Sequence, residues 1–301
     1  MRTSTCAAAM AALLAATAAG PAAAAKGAGL TTTPAALAKA LARGDVVVLQ
    51  VGDRAGYEAG HIPGARLLSL ADIAAPMGGE ALTLQLPEPE ALRARLASLG
   101  VSDRSRIVVV PTKEGIQSAT RVVFTLDAAG LGARTTLLEG GTAAWAAEGR
   151  ALETAAPAPA KPGKLSPIRY RPLVADAAFV KAHLSAPGYT IVDARTPEFY
   201  TGQRTGGSPA RPHKTGHVAG ARSVPFTSVT TPDLKLASEA EIAARFKAAG
   251  VKPGDKVIVY CHVGQQATAT LFAARKLGID ALLYDGSFEE WSRLDGPVAS
   301  P

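Results

Sequence analysis

Cysteine is nearly absent from this chain. Among 301 residues only Cys6 and Cys261 occur, so there is no disulfide framework, no paired-cysteine redox motif and no cysteine-rich metal site. Aromatic residues are also scarce, at 5%. They do not interleave with basic side chains, and no Lys/Arg run is dense, which argues against a surface that stacks bases or tracks a nucleic-acid backbone. The formal charge of +7 is a mild excess, suited to solubility and to small anionic partners. Long apolar runs are missing too, the longest lying near the start and being too short to cross a bilayer.

That apolar start has the organisation of an export signal. Met1-Arg2 precedes an Ala/Leu-rich stretch reaching Ala19, and Pro21 and the small residues Ala22 to Ala25 lead to Lys26. Residues 1–25 are therefore expected to be a signal peptide, removed on export to the periplasm or beyond, with no stable membrane insertion afterwards. Loss of Arg2 leaves a net charge of +6. Cys6 lies too early to be a lipid-attachment cysteine and leaves with the leader. Cys261 then stands alone in an oxidising compartment, as either a reactive thiol or an inert buried one.

Its setting favours reactivity. The β-branched run Val257-Ile258-Val259 and Tyr260 leads into Cys261-His262-Val263-Gly264-Gln265-Gln266-Ala267, and Thr268 to Leu277 has a helical pattern. A strand that delivers a cysteine to a short loop capped by a helix forms an anion cradle. Its backbone N–H groups and the positive helix end are expected to lower the thiol pKa and to hold a negatively charged adduct. Gly264 is expected to allow the tight curl that turns those N–H groups inward.

The chain also repeats itself. Asp45–Val51, followed by Gly60-His61-Ile62-Pro63-Gly64-Ala65, answers Tyr189–Ala194, followed by Gly216-His217-Val218-Ala219-Gly220-Ala221. Arg106–Val110 answers Val257–Tyr260, Gln117–Phe124 answers Gln265–Phe272, and Gly140–Trp145 answers Gly286–Trp291. Helical stretches at Pro89–Leu99 and Ser238–Ala249 alternate with these short apolar strands, the pattern of parallel sheets covered by helices. The Pro/Ala/Lys-rich stretch at 156–172 lacks apolar periodicity and has the composition of a linker. The expected organisation is a first domain at 26–155, the linker, and a second domain at 173–301. In the first domain either Lys113 or Pro111 falls opposite Cys261, according to the alignment register, so that half offers no thiol.

These motifs together resemble the rhodanese superfamily, and specifically the tandem thiosulfate/3-mercaptopyruvate sulfurtransferases. The carriers are Asp193-Ala194-Arg195 with Glu198-Phe199-Tyr200, the two Gly-His segments, Pro209-Ala210-Arg211-Pro212 in the loop before the second of them, the Cys261 loop, and Tyr284 to Trp291. The resemblance implies an α/β fold of two tandem rhodanese-like domains, each a parallel β-sheet flanked by helices on both faces. It places catalysis in the second domain only, and the substrate at the interface. By this reading Cys261 takes sulfane sulfur from an anionic donor as a persulfide and yields it to cyanide or a thiol, without metal or cofactor.

The loop departs from both well-known subtypes. Thiosulfate-specific relatives resemble Cys-Arg-Lys-Gly-Val-Thr and mercaptopyruvate-specific ones Cys-Gly-Ser-Gly-Val-Thr, whereas this chain has His262 and Val263 at the second and third positions. Substrate contacts are expected from His262 if protonated, from Val263, Gly264, Gln265, Gln266 and Ala267, and from Arg195. For Arg195 an ion pair with Asp193 or Glu198 is the alternative. Gln265 and Gln266 could equally face solvent, and His61 is expected to stabilise the fold. A cysteine phosphatase would need arginine where Ala267 stands, and a dithiol oxidoreductase a second cysteine. His213 and His217 are spaced for zinc on a helix, but Pro212 and Gly216 place them in a loop without a third ligand. A non-catalytic binding module and a protein-to-protein persulfide carrier remain the alternatives to a small-molecule sulfurtransferase.

Overall fold

The computed structural model describes residues 29–154 and 160–300. The expected signal peptide lies outside them. The first half contains β1 (Thr31–Thr32), α1 (Pro34–Arg43), β2 (Val46–Val51), α2 (Arg54–Ala59), β3 (Arg66–Leu68), α3 (Pro89–Ser98), β4 (Arg106–Val110), α4 (Ile116–Ala128), β5 (Thr135–Leu138) and α5 (Gly141–Ala147). Its five strands form one parallel sheet in the order β1-β5-β4-β2-β3.

The second half repeats this plan with β6 (Val174–Ala175), α6 (Ala177–Ala182), β7 (Tyr189–Asp193), α7 (Pro197–Tyr200), the hairpin β8 (Gly207–Ser208) and β9 (Arg211–Pro212), β10 (His217–Val218) and β11 (Arg222–Ser223). It continues with α8 (Glu239–Ala248), β12 (Lys256–Tyr260), α9 (Gln266–Lys276), β13 (Ala281–Tyr284), α10 (Ser287–Arg293) and β14 (Val298–Ala299). The parallel order here is β11-β7-β12-β13-β6.

Alternation along the central strands explains why each sheet is covered twice. In the first domain Leu49, Val51, Ile107 and Val109 pack with Leu92 and Leu96 of α3 and Val122 and Leu126 of α4. Their neighbours Val48, Val108 and Val110 point the other way, onto Leu37 of α1, Tyr57 of α2 and Trp145 of α5. The second domain divides likewise. Val257 and Val259 join Ile242 and Phe246 of α8 and Leu271 of α9, while Ile258 and Tyr260 meet Val180 of α6 and Trp291 of α10.

The domains share a core across α4 and α9. Phe124 of α4 packs into the second domain's cluster, and its repeat partner Phe272 of α9 packs into the first domain's. Hydrogen bonds link polar groups of these helices: Thr120 Oγ1 lies 2.9 Å from Thr268 Oγ1, and Asp127 accepts from Arg275 at 2.5 Å. Such satisfaction is what allows hydroxyls and charges to stay inside an interface. The segment after residue 159 differs from the free linker its composition suggested. Leu165 and Ile168 are buried in the first-domain core, Gly163 N donates to Ala97 O at 2.8 Å, and Ser166 bonds Asp103. Sparse apolar residues without periodicity can still anchor a strap when each one finds a core to fill.

Each domain closes on a buried tryptophan whose indole donates to a carbonyl shortly after its helix, Trp145 to Ala151 O at 2.9 Å and Trp291 to Pro297 O at 3.0 Å. Replacing Trp291 by alanine removes a wholly buried ring and this bond together. A loss of about 3–5 kcal/mol is expected, read as a lower denaturant midpoint by circular dichroism.

Candidate active site

Cys261 stands just beyond the end of β12, the central strand of the second sheet. From β7 the chain first moves to β11 on one side and then to β12 on the other, so the ends of β7 and β12 flank the point where the winding reverses. Open α/β sheets bind ligands at such points because the connecting loops diverge there. Cys261 has no exposed surface, and the backbone N–H groups of Ala267, Val263 and Gly264 are directed at its sulfur. Gly264 makes the curl with φ of +77°, and a Cβ there would meet Asp285 Oδ1 at 2.8 Å.

The charge state of the thiol differs from the sequence expectation. Burial pushes the Cys261 thiol up from its ordinary value, and the three N–H donors oppose that rise without cancelling it. The local motif signals the donors but not the depth of the pocket. The loop is held from below as well: Cys261 N donates to Ser287 Oγ at 3.2 Å, and Phe288 N and Glu289 N donate to the carbonyls of Cys261 and His262, each at 3.0 Å. Ser287 adopts φ of +52°, and its hydroxyl bridges Cys261 N to Tyr284 O.

Above the loop lies a cavity of about 520 Å³. His262 and Val263 form part of its floor. The first domain contributes Met77, Gly79, Ala81 and Thr83, the β8–β9 hairpin region Arg211 and His213, and α10 Glu289 and Arg293. Bonds cross the cleft: Thr83 N to Glu289 Oε2 at 2.8 Å, Arg211 Nη2 to Glu80 Oε1 at 2.8 Å, and Arg293 Nη1 to Glu80 O at 2.7 Å. Arg121 of α4 reaches furthest. Fully buried, it donates to Gly264 O at 3.2 Å, to the Asp285 carboxylate and to Leu84 O. Arg121, Ser287, Glu289 and Arg293 were not singled out as site residues by sequence reasoning, and His213 was weighed only as a zinc ligand. Among these Arg121 carried a usable signal, a lone charge inside an otherwise apolar helical pattern.

Arg195 is placed away from the cavity, and His262 lines it without the charge considered for it. Arg195 is a buried partner of Asp193, with Nη2 to Oδ2 at 2.6 Å and Nε to Oδ1 at 3.0 Å, and it also donates to Gly216 O at 2.8 Å. It lies over the Phe288 ring at 4.0 Å and is not part of the cavity wall. The ion-pair alternative thus describes its geometry, because a two-residue spacing lets the guanidinium fold back onto its own strand end. His262 is no cation: burial, then Arg195, then His213 bring its pKa down to about 4, so the imidazole is neutral near pH 7.

The glutamines also turn from the expected role. Gln265 Nε2 donates to Ser118 Oγ of the first domain at 2.9 Å, and Gln266 Oε1 is buried with no partner among the described residues. Ala267 is wholly buried and contributes its N–H. His61 stacks on Tyr57 at 3.9 Å with Nδ1 3.0 Å from Tyr57 O, as His217 stacks on Tyr200 in the other domain at 3.8 Å.

The first domain's matching loop is closed. β4 ends at Val110 as β12 ends at Tyr260, and α4 and α9 begin at Ile116 and Gln266, so Pro111 takes the place of Cys261. Proline has no N–H to satisfy, and opposite it Gly141, at φ of +57°, replaces the hydroxyl-bearing Ser287. A Cβ on Gly141 would come within 2.1 Å of Pro111 O. The space by Thr112, Lys113 and Glu114 is about 10 Å³, room for one water at most.

A family model for the rhodanese-like domain matches residues 33–148 and 176–294. The chain belongs to the rhodanese family. It is 30% identical over 271 residues to a thiosulfate sulfurtransferase of Azotobacter vinelandii, covering 89% of this chain and 96% of the relative. It is 32% identical over 239 residues to a probable 3-mercaptopyruvate sulfurtransferase of Pseudomonas aeruginosa, covering 78% and 82%. Among solved structures, YnjE superposes with a TM-score of 0.79 at 26% identity, over 90% of this chain and 68% of YnjE. SseA of Escherichia coli superposes with 0.75 at 24% identity, over 86% and 99%, a likeness of fold.

Because burial outweighs the N–H donors, the Cys261 thiolate is expected to appear only above the ordinary value of 9.0. The unfolded thiol then ionises first, so stability falls as pH rises past that value. Titration of thiolate ultraviolet absorbance, as the difference between wild type and Cys261→Ser, checks the direction. A midpoint below the ordinary value would mean that the N–H groups and α9 dominate.

Proposed function

We propose that this protein is a sulfurtransferase that takes sulfane sulfur from a small anionic donor, thiosulfate foremost, and passes it through a Cys261 persulfide to cyanide or a thiol. The observation that carries this reading is the one cysteine among the described residues, buried, faced by three backbone N–H groups, beneath a cavity formed by both domains. The names of the relatives that span the chain support it. In the donor half-reaction Cys261 sulfur bonds the outer sulfur of thiosulfate and the sulfur–sulfur bond of the donor breaks. Sulfite leaves with that bond's electron pair, and the original thiol proton ends on the persulfide. In the acceptor half-reaction a thiol or cyanide attacks the outer sulfur and Cys261 leaves. Both halves balance without metal or cofactor.

Residue roles follow from position. The N–H groups of Val263, Gly264 and Ala267 hold the persulfide, with the start of α9 behind them. Arg211 and Arg293 supply the positive charge that Arg195 and His262 do not, each tempered by a carboxylate, Glu80 and Glu289. Mercaptopyruvate is the weaker donor on this reading, since Val263 replaces the hydroxyl that would assist its proton transfer. The Ala-rich start supports export to the periplasm, with an amino terminus near Lys26 when the protein is isolated from that compartment. A relative from Thermus thermophilus is named a sulfur carrier protein, and an acceptor protein for the Cys261 sulfur fits the same loop.

Exposure to thiosulfate is expected to add one sulfur to the intact mass of wild type and none to Cys261→Ser, which stays folded because sulfur-to-oxygen replacement changes little volume. Residual turnover in that variant would remove Cys261 as nucleophile. Val263→Lys adds a charge-assisted contact worth about 1.5–3 kcal/mol. The thiosulfate KM is expected to fall, more at low salt than at high, because the new charge is screened. A wild-type preference for mercaptopyruvate in steady-state kinetics would overturn the donor assignment.

A further inference from the structure

We propose that Arg121, a side chain of the silent first domain, is a positioning residue for the sulfur cradle and sets the reactivity of Cys261 from across the interface. The proposal rests on the reading of Cys261 as the nucleophile. Arg121 sits midway along α4 with no exposed surface. Nη1 donates to Gly264 O at 3.2 Å and to Asp285 Oδ1, while Nη2 donates to Leu84 O and lies 3.4 Å from Asp285 Oδ2. Among the described hydrogen bonds it is the one first-domain side chain that binds the backbone of residues 261–267.

The direction of that bond matters. A trans peptide points its C=O and N–H opposite ways. Drawing the Gly264 carbonyl towards α4 therefore turns the Gln265 N–H away from α4, where it meets no backbone acceptor among the described residues. The same pull fixes the curl at Gly264, whose own N–H faces the Cys261 sulfur. Arg121 also explains why glycine is needed there beyond its positive φ: a Cβ would stand 3.0 Å from Nη1 and 2.8 Å from Asp285 Oδ1.

One guanidinium thereby joins three parts of the site. Gly264 belongs to the cradle, Leu84 follows the cavity-wall residue Thr83, and Asp285 also accepts from Leu86 N at 3.1 Å through Oδ2. Asp285 neutralises the buried cation, so the effect on the sulfur runs through the aim of the N–H groups and not through a direct charge. The silent domain would then have a duty in catalysis although it carries no thiol there: it holds the loop of the other in the shape that accepts a persulfide.

The test uses the full chain carrying Arg121→Lys, the pair Arg121→Gln with Asp285→Asn, and Thr120→Val. The double variant removes both buried charges together, which avoids stranding a carboxylate. Thr120→Val breaks an interface bond to Thr268 and leaves in place both the donation of Thr268 to Gln265 O and every bond from Arg121 to the loop. The single-turnover rate of persulfide formation from thiosulfate and the thiolate titration midpoint are read beside the thermal midpoint. The double variant is expected to form persulfide about tenfold more slowly or worse, with the titration midpoint moved further up. Arg121→Lys should fall between it and wild type, and Thr120→Val should lose thermal stability without change in rate or titration. Wild-type rate and titration in folded Arg121 variants, or equal losses in Thr120→Val, would overturn the proposal. Sulfur uptake by Cys261→Ser would instead defeat the reading of the nucleophile.

Discussion

The sulfur of Cys261 is out of water, and the rest of the second domain is arranged around that fact. A buried thiol resists ionisation, so an adduct carrying negative charge needs donors that cost no reorganisation when it forms. Backbone N–H groups meet that need. A parallel strand brings the cysteine to the winding reversal, α9 starts directly behind the loop, and Gly264 supplies the left-handed turn that a side chain would block. Ser287 sits in an unfavourable backbone region for a non-glycine residue, and its hydroxyl, bonded on both sides, is what holds it there.

The first domain repeats the loop in the same place, but there it is closed. Pro111 and Gly141 form a matched pair, an absent N–H facing an absent hydroxyl, where Cys261 and Ser287 form a bonded pair. What the first domain contributes to the second lies along α4. Phe124 and Phe272 are exchanged between cores, the threonines of α4 and α9 bond each other, and the Arg121–Asp285 pair is buried between the halves. A buried ion pair of this sort is weak evidence of stability by itself, yet removing one partner leaves an uncompensated charge and costs about 3–5 kcal/mol. It therefore fixes how the domains sit far better than an apolar patch, which tolerates sliding.

Electrostatics in the cleft follow the same logic of pairing. Arg195 is matched to Asp193, Arg211 to Glu80 and Arg293 to Glu289, while burial keeps His262 neutral. The cavity thus presents directional donors with muted net charge. The partly exposed pairs at Arg211 and Arg293 can yield to an incoming anion more readily than Arg195, whose carboxylate partner is wholly buried.

The sequence by itself determined the scaffold and the place of Cys261 at the end of its strand. β-branched runs at 106–110 and 257–260, helical stretches between them and a repeated Gly-to-Trp step are local patterns, and local patterns survive in one dimension. So does the signature of the loop that begins at Cys261. Tertiary structure decided the thiol's protonation, the partner of Arg195, the neutrality of His262 and the cavity wall drawn from residues 77–83. Each depends on burial or on groups far apart in the chain. Arg121 meets Gly264 across 143 positions, and Thr83 meets Glu289 across 206. No periodicity encodes such meetings; they exist only once α4 and α9 have packed and the two halves have excluded water between them.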